Sequence, residues 1–539
     1  MIQSISICTP SGKSVVAFDT SQKNKTDIDI SRFLFPKINS FDLVIEFSQA
    51  IAEFRNHDYQ WVKCNRDRIA NEFCPKIIKL KDGTLVQANC TSGIWEVSKK
   101  KKRVLLWRFN PEYASSLTNY IEDRNEVTIQ SANQNFNWNH NLAILFSKKN
   151  AIEFSRSKIP FAAIACFTDH CDFDTPENLK IQRAFFKRNN VKITKGFFLD
   201  HFSKRPDNAS FENEAKELLL WQHDGHELAY HSLSQSLKSD ADNLDAFFNF
   251  KVPFSGLCTW IDHGFQPYNL SLFKKNKLKE EDYEANLIDK NIKILWNYID
   301  SGKATVGVIN QLNTDQFTLS SFLKGNKGLR FSKQLQLMTK NMMFHFYGDQ
   351  KLILKYKSIA SNFKKVFHQK DKSKIYALLK DGFSLISSFL SVLAFWNSKK
   401  HTPYKLAKYS PMLFKHTIFE KEFYIFQTLK IDNFEKSLCQ ENIESLVKEK
   451  GVFIAHTYFS VPMKYHKGRL FYSNNEINYT VEQNFNFLGS KIINDEIWNP
   501  TLKELVDYWS GFENVVLDID EGGAIVVKSE THMMYREVV

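Results

Sequence analysis

The stretch FAAIACFTDHCDFD, Phe161 to Asp174, constrains the fold more than any other part of the chain. It opens as a run of small, apolar and aromatic residues, the texture of a strand buried on both faces. It then breaks into Asp169, His170, Asp172 and Asp174. Three carboxylates within six positions repel one another unless something neutralises them. A strand that delivers such a cluster at its C-terminal end belongs in a parallel α/β sheet or barrel, because those folds build their sites at that edge. Two later stretches, GHELAYHSLSQ (Gly225–Gln235) and TWIDHGFQPYN (Thr259–Asn269), have the same form: an apolar run, then polar residues.

The chain around these stretches alternates. Thr175 is placed to cap a helix that begins at Pro176 and ends near Asn189. A strand over Val191–Phe198, a helix over Asn213–Asp224 and a strand over Glu227–Tyr230 follow. Then come a helix over Ser239–Phe250, a strand over Phe254–Ile261, a helix over Ile288–Ser301 and a strand over Ala304–Ile309. This β-then-α order is that of a parallel α/β barrel. Residues 1 to about 150 are instead β-rich, with hairpins at Ile77–Leu80/Leu85–Ala88 and Ile94–Val97/Val104–Phe109. They predict a sandwich or barrel-like module with Trp61, Trp95 and Trp107 in its core. Residues 325 to about 415 are basic and largely helical, and predict an inserted subdomain. Beyond it, a helix over Ile443–Lys450, a strand ending at His456, a helix over Thr501–Trp509 and a closing hairpin complete the pattern. The expected divisions are 1–155, 156–324, 325–418 and 419–539.

The net charge of +12 favours acidic partners such as an anionic glycan or a membrane surface. The basic residues read as spread along the chain, and their one block, Lys99 to Arg103, reads as a solvated hairpin turn. No nucleic-acid signature is present, so no nucleic-acid partner is expected. None of the eight cysteines forms a CxxC pair, and no secretory signal is visible, which points to free thiols and the cytoplasm. The segment Phe383–Trp396, flanked by lysines, is shorter than the roughly 20 residues that span a bilayer. It reads as a buried helix or as one that dips into a membrane surface, which keeps peripheral membrane contact open.

CFTDHCDFDTPENLKIQRAFFKRNNVKITKGFFL, GHELAYHSLSQ, TWIDHGFQPYN and GVFIAHTYF together resemble the polysaccharide deacetylase family, carbohydrate esterases of the NodB-homology fold. The resemblance covers roughly 160–310 and 420–510. It implies a distorted (β/α) barrel of the glycoside hydrolase/deacetylase type, preceded by the β-rich domain and carrying the helical insertion. It also implies a metal-dependent hydrolase that removes an acyl group from an amino sugar in a glycan or glycolipid precursor.

In that reading Asp169 is the general base and His456 the general acid, while Asp172, His231 and His263 hold a divalent metal, Zn²⁺ or else Co²⁺, Mn²⁺ or Ni²⁺. Aligning on the strand end favours Asp169 for the leading carboxylate, and aligning on the distance to Lys192–Thr194 favours Asp172. The family's second motif histidine is replaced by Gln235, which leaves a second reading open: a catalytically inactive protein that binds glycan or organises an assembly. A third reading, a glycosidase, would need two carboxylates about a sugar bond and would draw on Asp262. Trp260, Phe265 and Tyr268 read as a sugar-stacking wall or as core; Trp260, Asp262 and Tyr268 are the expected substrate contacts. Asp174 reads as a helix cap and His226 as structural.

Overall fold

The computed structural model describes residues 1–19, 24–33, 38–120, 127–131, 142–343, 350–383, 386, 403–462, 468–472 and 475–539. The first 154 residues form two main antiparallel sheets, of six and seven strands. Both expected hairpins are present with their expected bounds, and Trp95 faces Trp107 across the second at 6.1 Å, both fully buried. The lysine block is the exposed turn between those strands. Trp61 differs from its expectation: it is half-exposed and donates Nε1–H to the Val539 carbonyl.

The α/β unit contains β1 (Ala163–Asp169), α1 (Pro176–Arg188), β2 (Thr194–Phe197), α2 (Phe211–His223), β3 (Glu227–Tyr230), α3 (Asp240–Asn249), β4 (Thr259–Ile261), α4 (Glu280–Asp289), β5 (Ile294–Trp296) and β6 (Asp300–Ala304). The basic segment supplies α5 (Phe331–Asn341) and α6 (Gln350–His368). The sheet resumes with β7 (Leu413–Ile418), β8 (Lys421–Phe426), β9 (Thr428–Ile431) and β10 (Val452–Thr457), and helix α7 (Leu502–Trp509) follows. The strand order is β6-β9-β10-β1-β2-β3-β4-β5-β8-β7, parallel throughout except between β7 and β8.

This is a curled half-barrel, which corrects the expectation of a distorted (β/α) barrel: among the described residues no ladder joins β6 to β7. The reason lies in the packing. Ala163, Ala165 and Phe167 of β1 join a core with the helices, while Ile164 and Cys166 join a second core with Ile78, Val86 and Ile144 of the N-terminal sheets. The sheet's second face is thus covered by another module and has no need to close on itself. Trp296 bridges the open side, donating Nε1–H to Thr428 Oγ1 at 3.2 Å.

Local chemistry explains the elements that carry the site. Thr175 and Asn178 form a capping box at the start of α1, so the cap is Thr175 and not Asp174. In β2, a Cβ added at Gly196 would lie 2.4 Å from the Asp169 carbonyl, so only glycine lets the two strands approach this closely. The helix expected over Ile288–Ser301 is absent. Its apolar run is two strands, β5 and β6, preceded by α4, and Asn291 turns the chain from α4 into β5 at φ 58°. A short run buried on both faces carries no period that separates strand from helix. Most of the apolar segment Phe383–Trp396 lies outside the described residues. Among the described residues, no helix is long and apolar enough to cross a membrane.

Candidate active site

Three loops and one strand end meet above the sheet. One follows β1 and carries His170 and Asp172; those after β3 and β4 carry His231 and His263; β10 carries His456. His231 leads into Ser232, whose left-handed backbone (φ 59°) is held by two bonds. Ser232 Oγ accepts from His263 N–H at 3.1 Å and donates to Asn269 Oδ1 at 3.1 Å. Strained, over-determined turns of this kind gather at functional sites.

Asp172, His231 and His263 converge. His231 Nε2 lies 3.0 Å from Asp172 Oδ2, and His263 Nδ1 lies 3.2 Å from Asp172 Oδ1 and 3.2 Å from His231 Nε2. The other nitrogen of each ring faces a backbone carbonyl: His231 Nδ1 faces Ile261 O at 3.3 Å, and His263 Nε2 faces Gln235 O at 3.0 Å. A carbonyl only accepts, so those nitrogens carry the protons and donate. A neutral imidazole has one N–H. Two bare nitrogens and a carboxylate therefore face one another, three acceptors with no donor among them. The alternative is one further proton on a ring, an imidazolium that donates to Asp172, and the carboxylate raises His263 in that direction. Donors on one tetrahedral cation at 2.0–2.1 Å stand about 3.3 Å apart, close to what is seen here. The carbonyls that orient both rings are the outer support such a site requires.

Burial opposes charge on Asp172, but His263 and His231 outweigh it and hold the carboxyl well below its usual range. Burial lowers His231, whereas for His263 the Asp172 carboxylate outweighs burial and raises the ring. The loop itself is pinned: the Asp172 carbonyl accepts from Gln235 Nε2 at 2.7 Å and Arg205 Nη1 at 3.2 Å.

His456 forms the second half of the site. Its Nδ1–H donates to Asp300 at 3.0 and 3.2 Å, and its buried Nε2 has no hydrogen-bond partner among the described residues. Burial opposes charge on Asp300, yet His456 holds its carboxyl below the usual range. His170 stacks on His456 with ring centroids 4.0 Å apart and meets His231 edge-on at 4.6 Å, which joins the two halves. A ligating atom of His170 also lies within 4.8 Å of one from Asp172 and one from His231.

The remaining expected residues sit elsewhere. Asp169 is fully buried in an ion pair with Lys195, its neighbour across β1 and β2, and accepts from Phe459 N–H at 3.2 Å. It is a structural carboxylate and stands apart from the imidazoles as a candidate base. Asp174 shares the same ammonium at 2.5 Å. Asp262 is fully buried, accepting from the N–H groups of Leu270 and Ser271, and burial pushes its carboxyl up to about 7. Trp260 and Tyr268 are fully buried against Phe247. All three expected substrate contacts are therefore core or loop supports. Gln235, where a second motif histidine would stand, is spent on the Asp172 backbone.

The half-exposed aromatics near the site are others: Tyr298, Tyr458 and Phe173, with Phe265 and Tyr120 packed edge-on at 5.3 Å. Tyr120 comes from the N-terminal module, docked where Asn297 Nδ2 donates to the Thr118 carbonyl at 3.2 Å. Sequence reasoning missed Asp300 because it fell inside the supposed helix, and it missed Tyr120 because nothing local ties residue 120 to residue 265. Beside the Asp172 loop opens a cavity of about 600 Å³, lined in part by Phe173, Arg205, Ser460, Arg469, Phe471 and Tyr472.

No family model and no curated protein matches the chain. Solved structures similar to it include a Flavobacterium johnsoniae GH31 dextranase complexed with glucose, at 7% identity and TM-score 0.26 over 98% of this chain and 72% of the dextranase. Another is a glycoside hydrolase family 97 enzyme from Pseudoalteromonas sp. strain K8 in complex with acarbose, at 11% identity and TM-score 0.21 over 55% and 58%. A third is a GH31 alpha-xylosidase from a soil metagenome, at 11% identity and TM-score 0.19 over 48% and 38%. The chain thus spans well under two thirds of the latter two. Likenesses this slight carry no functional argument. The deacetylase expectation is nevertheless corrected: no family model matches, Asp169 is closed in its pair with Lys195, and the residue at the motif histidine is a backbone-binding glutamine. The acyl-removing activity and the zinc assigned through that resemblance fall with it. The inactive glycan-binding alternative gains nothing from the same findings.

Proposed function

We propose that the rim cluster is the active centre of a carbohydrate-directed hydrolase that works with a divalent cation between Asp172, His231 and His263. One observation carries the reading: both imidazoles spend their N–H on backbone carbonyls and turn bare nitrogens toward a carboxylate. A divalent cation there lowers the pKa of water and polarises the bond under attack. Two nitrogens and a carboxylate suit cobalt, nickel or manganese.

The rest of the chemistry falls to the chain. Asp300 fixes the tautomer of His456 by accepting from Nδ1–H, so Nε2 is the nitrogen that takes up a proton and returns it to the leaving oxygen. His170 keeps that ring in place by stacking. Tyr298, Tyr458, Phe265 and Tyr120 offer flat apolar faces of the kind that pack against sugar rings, and their partial exposure supports a carbohydrate as the substrate.

The test is direct. Chelator-treated wild type titrated calorimetrically with Mn²⁺, Co²⁺ and Ni²⁺ takes up one ion per chain, and His263→Ala takes up none. A panel of oligosaccharides releases reducing ends with wild type, and Asp172→Asn lowers the rate at least a hundredfold, about 3 kcal/mol of transition-state stabilisation. A wild type that binds no divalent ion, or that turns over fully without one, overturns the proposal.

A further inference from the structure

The net charge of the chain is not spread evenly. Residues 319–383 hold fourteen Lys and Arg against three Asp and no Glu, an excess of eleven out of the chain's +12. The remaining 474 residues are close to neutral. The basic excess therefore belongs to the helical module that interrupts the sheet.

That module also leaves its apolar side chains in water. Among the described residues, nine of the 23 exposed large apolar side chains fall between Phe331 and Ile386. They follow helical spacing: Phe331 and Leu335 on α5; Phe363 and Phe367 on α6, with ring centroids 4.4 Å apart; Tyr376, Leu379 and Phe383 on the helix over 375–383. Phe331, Tyr376 and Phe383 are 79, 77 and 70% exposed. Ser358 Oγ donates to Asp381 Oδ2 at 2.9 Å and ties the last two helices together. The turn between these helices carries Lys370, Lys372 and Lys374, and Lys364 and Lys365 sit among the phenylalanines.

We infer that this module docks peripherally on an anionic lipid surface, with the aromatic side chains set into the interface and the lysines against the headgroup phosphates. Amphipathic helices with a basic polar face and an aromatic apolar face bind membranes in this way. Each lysine or arginine brought to an anionic leaflet contributes about 1 kcal/mol, or roughly fivefold. A polyanion would use the lysines but leave the aromatics unexplained. A second copy would press an excess of eleven positive charges against another. The module is rooted beside the site: Lys340 of α5 lies within electrostatic reach of Lys303 on β6, Lys430 on β9 and Asp432, and Lys430 Nζ lies 5.7 Å from the Tyr458 ring. This inference stands independently of the reading of the site.

The full chain is sedimented with vesicles of phosphatidylcholine alone or with a third phosphatidylglycerol. Partition onto the anionic vesicles is expected to exceed that onto neutral ones at least tenfold and to weaken as salt screens the charges. The variant Phe363→Ser/Phe367→Ser/Tyr376→Ser/Phe383→Ser and the variant Lys364→Glu/Lys365→Glu each lose at least tenfold, with circular dichroism and thermal unfolding as in wild type, because every altered side chain lies on the module's surface. Three results overturn the inference: wild type left in the supernatant with anionic vesicles; pelleting that heparin abolishes and the aromatic variant leaves unchanged; or a dimer by light scattering that the aromatic variant converts to monomer.

Discussion

Two charge clusters interleave between Asp169 at the end of β1 and Asp174 in the loop after it, and they have opposite fates. Asp169 and Asp174 share the ammonium of Lys195, and Gln182 and Ser460 complete the bonding around Asp174. Both carboxylates there bond the one ammonium, burial pushes the Asp169 carboxyl above its usual range, and both are buried with their oxygens spent on neighbouring groups. Asp172 lies between them in sequence, is partly exposed (20%), and faces two imidazoles whose protons point away. The first cluster is complete without a guest, whereas the second is short of a positive charge. Chemistry that needs a cation belongs to the second, however similar the residue types.

That contrast can be broken most strongly at Lys195. Lys195→Met leaves two buried carboxylates without a cation and is expected to cost about 3–5 kcal/mol in a urea titration. Adding Asp169→Asn recovers part of the loss. A loss under 1 kcal/mol would mean the pair is not closed.

His226 sharpens the comparison from the imidazole side, since it is a histidine with no carboxylate bonded to it. Its Nδ1 accepts from Ile193 N–H at 3.1 Å, its Nε2 has no hydrogen-bond partner among the described residues, and burial lowers it to about 4. Between pH 6.5 and 4 the unfolded chain binds a proton that the folded chain refuses, so stability falls as pH falls through that window, by about 3 kcal/mol in total. Denaturation midpoints across the window should flatten in His226→Phe.

Gln235→Ala frees the Asp172 carbonyl of one of its two anchors and should weaken divalent-ion affinity by about 10- to 100-fold in calorimetry while leaving one ion per chain. The smallest effect is the most telling. In cation-free protein, Asp172→Asn should change stability by no more than about 0.5 kcal/mol, because it removes an acceptor from a set that lacks a donor. A large destabilisation would place Asp172 with Asp169, as a carboxylate already satisfied by protons on the imidazoles.

Much of the local structure was legible in the residues, for stated reasons. The Thr175–Pro176 start, the Lys-Asp-Gly hairpin, the strand Glu227–Tyr230 and the strand ending at His456 each carry their own turn or cap chemistry. The trio Asp172, His231 and His263 was also named from sequence, as the ligand set implied by the deacetylase resemblance, and the structure brings the three side chains together. What was not legible depends on partners distant in sequence. Lys195 captures Asp169 only because β1 and β2 pair in that register. Asp300 reaches His456 across 156 positions and from a strand that read as helix. Trp260 and Tyr268 looked like a sugar wall because burial is not written in residue type, and the actual rim borrows Tyr120 from another module.

The seam between the modules has a consequence for synthesis. Glu153, fully buried in the strand Ala151–Phe154, takes Arg55 on one side and Arg536 on the other, and strand Tyr535–Val538 lies along it. Arg536 is made 383 positions after Glu153. A ribosome must therefore hold the half-latched carboxylate through the whole α/β unit and the basic helices before its second counter-ion emerges, so nascent chains should stay vulnerable to proteolysis at this hinge until the final clasp arrives.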